Sequence, residues 1–168
     1  MNGRARRRAW SLVLGCTLTL AAGGANADPH QVRQGDITVS SRIVRASIPG
    51  SPNSAAYMVI ANSGSEPDAL IAAHCACAVK VDIHRTEDMR GMSMMVSAAP
   101  VVVPPHGQMV FQPGGYHLML TSLKEPLRDG GQQAITLVFK RAGAIRASFR
   151  ISAQINLGTE APMRGMTH

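Results

Sequence analysis

The feature that most constrains this fold is a series of short segments rich in Val, Ile and Thr, separated by Gly, Pro, Asn and Asp. Short runs with alternating apolar residues are typical of β-strands, and helical periodicity is hard to find after the amino-terminal segment. Turn residues lie between the runs, in PGSPNS, NSGSEPD, QPGG and RDGG. The pattern predicts an all-β sandwich or barrel. The predicted strands are in DITVSSRIVRASI, AAYMVIANS, ALIAA, AVKVDIHRT, MSMMVSAAPVVV, YHLMLTSL, QAITLVFK and AIRASFRIS.

The amino-terminal segment predicts export. MNGRARRRAW carries four arginines and no acidic residue, and the apolar run SLVLGCTLTLAA follows it. This order is that of a secretory signal peptide, and the run is shorter than the ~20 residues of a membrane span. A small-x-small pattern ends at Ala27, so residues 1–27 are predicted to be cleaved. Cys16 could mark a lipoprotein, but the apolar run continues past it to Ala22, which argues against acylation there.

The positive charge is partly a property of this leader. The whole chain has 17 Lys and Arg against 10 Asp and Glu; without the four leader arginines the balance is 13 against 10, or +3. A mildly basic chain with few aromatic residues and no basic block is a poor candidate for binding nucleic acid. We expect one domain over residues 28–156, monomeric and located in the periplasm, followed by a loose tail over residues 157–168.

The segment GGYHLML places two unusual side chains together. Positions two apart in a strand point to the same face, so His117 and Met119 share one face and Tyr116, Leu118 and Leu120 share the other. The second set is typical of a core-facing surface. An imidazole and a thioether are therefore predicted side by side on the face away from the core.

A second pair of the same kind lies upstream. In AVKVDIHRT, His84 is on the polar face of the predicted strand, and in MSMMVS, Met95 is on an otherwise polar face. If the intervening turn centres between Met89 and Arg90, His84 lies directly opposite Met95, with Cβ atoms ~5 Å apart. This register is a hypothesis that the sequence permits without requiring it.

Two imidazoles and two thioethers form a soft, uncharged donor set. Such donors suit Cu(I) and offer little to Mg²⁺ or Ca²⁺, whereas zinc sites favour thiolates, more histidines or a carboxylate. The residue pattern thus predicts a soft-metal site at His84, Met95, His117 and Met119.

The spacing of these four residues resembles a known signature. They form H-x10-M-x21-H-x-M, the pattern of the periplasmic copper chaperones called PCu(A)C, and family-like flanks include AAYMVIANSG, VDIHRT, QPGGYHLML and ITLVFKRAG. The similarity covers roughly residues 36 to 152. The resemblance implies a cupredoxin-like Greek-key β-sandwich that binds Cu(I) near one end. It also implies delivery of copper towards the dinuclear copper centre of cytochrome c oxidase, often alongside Sco-type thiol proteins.

Two features depart from the family pattern. HCACA places Cys75 and Cys77 beside His74, where small or polar residues are usual. They could form a second copper site or a redox pair, or they could be small buried residues or a local disulfide. A bridge between residues two apart is awkward in an extended chain, because their Cα atoms lie near the upper limit of ~6.8 Å.

The tail is the other departure. It carries Met163, Met166 and His168, which could hold a second copper ion or belong to a disordered extension.

The remaining methionines and histidines have simpler interpretations. Met58, Met92 and Met94 are predicted to pack in the core. Met89, in the presumed turn, is either exposed or an auxiliary soft ligand. His106 and Met109 follow a proline turn and are predicted to be loop and strand residues; neither is predicted to be a ligand.

Several function classes compete. The leading hypothesis is a Cu(I) chaperone that works by ligand exchange with no catalytic turnover, and copper storage or tolerance is the alternative. A blue-copper electron carrier needs a cysteine thiolate beside two histidines, and no cysteine accompanies HLM. A metal-free adhesion or structural sandwich is a third class. An enzyme has the least support, because no paired acids, nucleophile elbow or phosphate loop has usable context.

Overall fold

The computed structural model describes residues 31–157, and every regular element in that range is a β-strand. This confirms the all-β prediction. No helix within that range is long and apolar enough to cross a membrane. The strands are β1 (Val32–Gln34), β2 (Ile37–Arg45), β3 (Ser54–Asn62), β4 (Asp68–His74), β5 (Ala78–Met89), β6 (Met92–Ser97), β7 (Val101–Val103), β8 (Gly107–Phe111), β9 (Tyr116–Leu123), β10 (Gln132–Phe139) and β11 (Gly143–Ser152).

The strands pair in one continuous path, β6-β5-β9-β8-β3-β2-β11-β10-β4-β7, with β1 added to β2. Side chains from both halves of this path form a single buried cluster, so the sheet folds over on itself as a sandwich. Consecutive strands β4 and β5 lie in different halves, since β4 pairs with β10 and β7 while β5 pairs with β9 and β6. Such crossing connections are those of a Greek-key arrangement.

Strict alternation explains why these segments fold as half-buried strands. In β11 every second side chain is buried and the intervening ones are exposed. Burying a large apolar side chain stabilises the fold by roughly 1.5–3 kcal/mol. The largest fully buried side chains are Phe111, Phe139, Phe149, Ile37, Met58, Ile60, Leu70, Leu118, Leu120, Ile135, Leu137 and Ile145.

Each of the eight predicted segments contains a strand, and MSMMVSAAPVVV contains two, β6 and β7. The short strand β1 is not among the predicted strands, and β8 contains Met109, which is predicted to be a strand residue. Met58 is fully buried, as predicted. The core prediction for Met92 and Met94 is wrong, because both side chains are exposed on β6. The predicted signal peptide and all of the tail beyond residue 157 lie outside the described residues.

Candidate metal centre

The four predicted ligands lie on three neighbouring strands at one end of the sheet path. Met95 is on β6, His84 on β5, and His117 and Met119 on β9, and these strands are adjacent in the order β6-β5-β9. Residues directly opposed in an antiparallel ladder share a face. The two ladders pair His84 with Ser97 and with His117, and by alternation all four residues lie on the same face. The sequence-based assignment of faces is therefore confirmed.

The two histidines form the centre of this group. His84 lies directly opposite His117, with ring centroids 5.9 Å apart and planes at 83°. His117 is 6% exposed although it points away from the main core, and His84 is half-buried. The β5–β9 ladder thus holds the two imidazoles edge to face at this separation. Local sequence patterns do not predict this pairing, because it depends on the register between β5 and β9.

The orientation of the His117 ring is fixed by a backbone carbonyl. Its Nδ1 lies 3.1 Å from the carbonyl oxygen of Gly115, which also accepts the Thr86 N–H at 3.2 Å. A carbonyl can only accept, so Nδ1 carries the proton and Nε2 keeps its lone pair. A metal-binding histidine commonly donates its other ring N–H in this way. The QPGG turn positions the carbonyl, with Gly114 at φ +76°, a conformation that favours glycine.

His84 has a buried ring nitrogen without a partner. Its Nδ1 makes no hydrogen bond to any of the described residues. A buried polar atom left unpaired destabilises a fold by about 1–3 kcal/mol, so such atoms in native structures call for an explanation. A metal ion bound at the histidine pair is one partner that would offset the cost of this unpaired nitrogen.

Met119 extends the group along β9. It lies opposite Asp82 on one side and Ala55 of β3 on the other, so its strand is paired along both edges. Its side chain is partly buried, and it is diagonal to His84, a separation of about 7–8 Å between Cα atoms. The Asp82 carboxylate is 3.0 Å from the Lys80 ammonium, which partly offsets its charge.

Met95 is not opposite His84, and that part of the prediction is wrong. The hairpin turns over Arg90 and Gly91, both with positive φ (57° and 80°), so the register is shifted by two residues and Thr86 faces Met95. A two-residue turn of this type needs positive φ at both positions, which glycine supplies at the second. An even shift keeps Met95 on the predicted face, diagonal to His84. Its side chain is 63% exposed.

A polar cluster braces the same strands from the opposite face. The Arg85 guanidinium lies over the Tyr116 ring at 5.6 Å, contacts its hydroxyl at 3.4 Å and pairs with the Glu87 carboxylate. The hydrogen bond to Glu87, followed by that to Tyr116, raises the pKa of Arg85 above its ordinary value. Arg85 therefore remains a cation and ties β5 to β9 one residue from the histidine pair.

The donor chemistry of the site follows from what surrounds it. Among residues 31–157, no three His, Cys, Asp or Glu side chains converge in a way that could hold a metal ion. Besides the two imidazoles, the predicted set contains the thioether sulfur atoms of Met119 and Met95. Both methionines lie on the same face as the histidines. A metal site here accordingly depends on sulfur ligands that are soft and neutral.

The two cysteines are bonded to each other. Cys75 and Cys77 form a disulfide with Cα atoms 5.1 Å apart, at a turn in which the Ala78 N–H lies 3.4 Å from the Cys75 carbonyl. The turn brings the Cα atoms inside the ordinary range, so the objection drawn from an extended chain does not apply. The local-disulfide alternative is the one that the structure adopts. The bridge precedes Ala78, six residues before His84 on β5, or about 20 Å along the strand.

The lesser candidates lie elsewhere. His106 is exposed in a turn with φ +48°, and Met109 is partly buried on β8, as predicted. His74 is exposed at the end of β4. The tail residues Met163, Met166 and His168 are outside the described residues.

Residues 37–151 match the sequence model of a family described as "Putative lipoprotein LpqE-like". A protein of Leifsonia xyli subsp. xyli, described as a putative lipoprotein, is 31% identical over 126 residues, which is 74% of this chain and 73% of that protein. The chain belongs to the LpqE-like family of PCu(A)C proteins.

Solved PCu(A)C structures share the fold. The apo PCuAC domain from PmoF1 is 30% identical with a TM-score of 0.66, and 74% of this chain covers 100% of that domain. The copper-bound PCuAC domain from PmoF2 is 26% identical with a TM-score of 0.64, over 74% and 99% of the two chains. The CuI form of DR1885 from Deinococcus radiodurans is 29% identical with a TM-score of 0.58, over 80% and 85%. The cupredoxin-like β-sandwich predicted from the sequence is confirmed.

Proposed function

We propose that this protein is an exported Cu(I) chaperone that binds copper through His84, Met95, His117 and Met119 and releases it by ligand exchange, without catalysing a reaction. The observation that carries the proposal is the histidine pair, with His117 buried and His84 half-buried, with both rings placed by the β5–β9 ladder and with a thioether diagonal to His84 on each side. Copper-bound forms of two similar domains support the same cargo.

The metal preference follows from charge and softness. Four neutral donors leave the charge at the site close to that of the ion itself, which favours a monovalent ion over a divalent one. Thioethers select Cu(I) among the common metals, and imidazole accepts it as well. Asp82 adds a nearby negative charge, but its pairing with Lys80 limits its use as a hard ligand.

Release depends on the unequal burial of the four donors. His117 is buried on a strand that is paired along both edges, whereas Met95 is exposed on β6, which pairs only with β5 within the described range. Methionine has three rotatable side-chain bonds and can reach over a diagonal separation. Met95 is thus the donor that closes over the ion last and leaves first, and an incoming thiolate or imidazole reaches copper from its side.

An electron-transfer role lacks a key ligand. A blue-copper site needs a thiolate beside its histidines. Both cysteines in the described range are joined in a disulfide about 20 Å along β5 from His84. A colourless Cu(I) complex is the expected product, and an intense blue oxidised form is the result that would favour electron transfer.

The decisive experiment is an anaerobic Cu(I) titration of the mature protein against a strong chelator. His117→Ala is expected to weaken binding by roughly 100-fold or more, the upper end of what loss of a supporting residue does at a metal site. His74→Gln, which changes an exposed histidine at the far end of β4, is the matched control and should bind as the wild type does. Equal uptake by all three proteins, each with an unchanged far-UV spectrum, rules out the site.

The acceptor is a separate part of the proposal. We propose the dinuclear copper centre of cytochrome c oxidase, either directly or through a Sco-type thiol protein, with the chaperone acting as a monomer in the periplasm. Mixing the Cu(I) protein with the apo copper domain of the host oxidase should move Cu(I) to that domain, measured as the copper content of each protein after the two are separated anaerobically. Tight binding without transfer to the oxidase domain or a Sco-type protein favours storage or tolerance.

The exported protein has two candidate forms, a soluble one and one that is anchored by a lipid. The family description and the Leifsonia relative both name lipoproteins, which supports a location outside the cytoplasm. We propose cleavage after Ala27 and a soluble product. Intact-mass measurement of the exported protein distinguishes this from acylation at Cys16, which would leave an anchored protein beginning at that residue.

A further inference from the structure

The hairpin of β5 and β6 carries a second group of methionines on its other face. By alternation, Met89, Met92 and Met94 lie on the face opposite Met95 and the histidine pair. Their exposed fractions are 50%, 65% and 47%. They continue the core-facing side of both strands beyond the end of the buried cluster, so three thioethers are open to solvent.

The turn brings these three sulfur atoms within reach of one another. Met89 lies directly opposite Met92 across the turn of Arg90 and Gly91, with Cβ atoms about 4.5–5.5 Å apart. Met94 lies opposite Glu87 and is diagonal to Met89, a Cα separation of about 7–8 Å that long side chains span. A flexible thioether from each residue can therefore approach a common point.

The charged neighbours leave this face to neutral sulfur donors. Glu87, which shares the face, is paired with the Arg85 guanidinium. Asp88 is on the opposite face, where its carboxylate accepts the Gly91 N–H at 2.8 Å. The cations Arg85 and Arg90 disfavour a divalent ion close by. The available donors and the local charge both select a soft monovalent cation.

Packing in the core does not account for the trio of Met89, Met92 and Met94. Large apolar side chains that serve the core in this protein are almost fully buried, and Met58 is one of them. Met89, Met92 and Met94 each keep about half of their surface or more in solvent, although every one of them stands on the core-facing side of its strand.

We propose that Met89, Met92 and Met94 form a second, weaker Cu(I) site on the outer face of the β5–β6 hairpin, separate from the site that contains His84 and His117. Three thioethers bind copper more loosely than a set with two imidazoles, and all three side chains are open to solvent. Met94 and Met95 are adjacent on β6 and point to opposite faces, so an ion held by the trio is one residue away from a ligand of the histidine site.

The test removes the other donors first. The background is the mature full-length protein with His84→Ala and His117→Ala at the histidine site, and Met163→Leu, Met166→Leu and His168→Gln in the tail. In this background, Cu(I) should still bind at one equivalent, and Ag(I), used as a spectroscopically silent substitute, should shift the methyl resonances of Met89, Met92 and Met94. Adding Met89→Leu, Met92→Leu and Met94→Leu should abolish both signals. Leucine conserves volume and apolar character, so the fold should be unaffected.

The matched control is Met58→Leu with Met109→Leu, which also removes thioethers but from buried or partly buried positions. It should leave the residual Cu(I) binding unchanged. Uptake that persists after the three leucine substitutions, or methyl shifts confined to other methionines, overturns the proposal. An absence of uptake in the background protein, provided that it is folded, overturns it as well; the trio is then better explained as a protein-docking patch. Because the background lacks the histidine site, these outcomes are independent of the proposed chaperone function.

Discussion

Strand β5 contributes both to the histidine pair, His84 and His117, and to the β5–β6 hairpin with its exposed methionines. The two regions differ in burial and in strand pairing. His84 and His117 lie where β5 is paired with β9, a strand that is itself held by β3 and β8. From Thr86 to its end at Met89, β5 pairs only with the edge strand β6. The first region fixes donor positions in advance, and the second supplies donors that are exposed and adjustable. A carrier needs both, because a rigid pocket alone holds its ion and a flexible one alone selects poorly.

Truncating a side chain should lower the free energy of unfolding much more beside the histidine pair than on the hairpin. Leu118 is fully buried beside His117 on β9, and Leu118→Ala should lower the free energy of unfolding by about 2–5 kcal/mol. Met94→Ala on the hairpin removes a side chain of similar size but should change it by no more than about 0.5 kcal/mol. Chemical denaturation of both variants measures this. Comparable losses would show that the hairpin is as tightly packed as the core.

A substitution in the β5–β6 hairpin should change the Cu(I) affinity more than it changes the free energy of unfolding. Met95→Leu should weaken Cu(I) binding by about 10-fold, a smaller effect than that expected for His117→Ala, because Met95 closes the site and the histidines form it. The free energy of unfolding should be unchanged within about 0.5 kcal/mol, since the side chain is exposed. A chelator competition assay and a denaturation curve on the same sample test both statements. A loss as large as that for His117→Ala would place Met95 among the rigid donors.

The smallest expected effect is at the hairpin turn. Arg90 has φ +57°, a conformation that Asn adopts more readily than Arg. Arg90→Asn should stabilise the protein by up to about 1 kcal/mol, the lower end of the cost of a left-handed residue other than glycine, and leave Cu(I) affinity at the histidine site unchanged. Thermal unfolding and Cu(I) titration are the measurements. Gly91→Ala is the opposite control, because φ +80° strains any residue with a Cβ, and it should destabilise the hairpin. Stabilisation by the alanine would mean that the turn differs from the one described.

How far the sequence predicted these regions depended on the kind of information involved. Alternation in AVKVDIHRT, MSMMVS and YHLML was enough to place four donors on one face, because side-chain direction is local. The register of the β5–β6 hairpin was wrong by two residues, although Gly91 carried the signal for the correct turn. The His84–His117 pairing could not be predicted from local patterns, because it joins strands that are more than thirty residues apart in sequence.

Burial was the other source of error. Met92 and Met94 alternate like core residues, but β5 and β6 extend past the end of the sandwich, and a strand pattern does not reveal where the opposing layer stops. The strand β1 is only three residues long, too short for periodicity to be distinctive.

The exposure of Met95 has a consequence for how the protein ages outside the cytoplasm. Solvent-accessible methionine is readily oxidised to the sulfoxide, which replaces a soft sulfur donor by a harder, more polar group. The shielded imidazole of His117 and the partly covered Met119 are attacked more slowly. At the proposed site, oxidation of Met95 therefore weakens Cu(I) binding while the sandwich itself stays folded, and a reductase that acts on methionine sulfoxide restores the thioether.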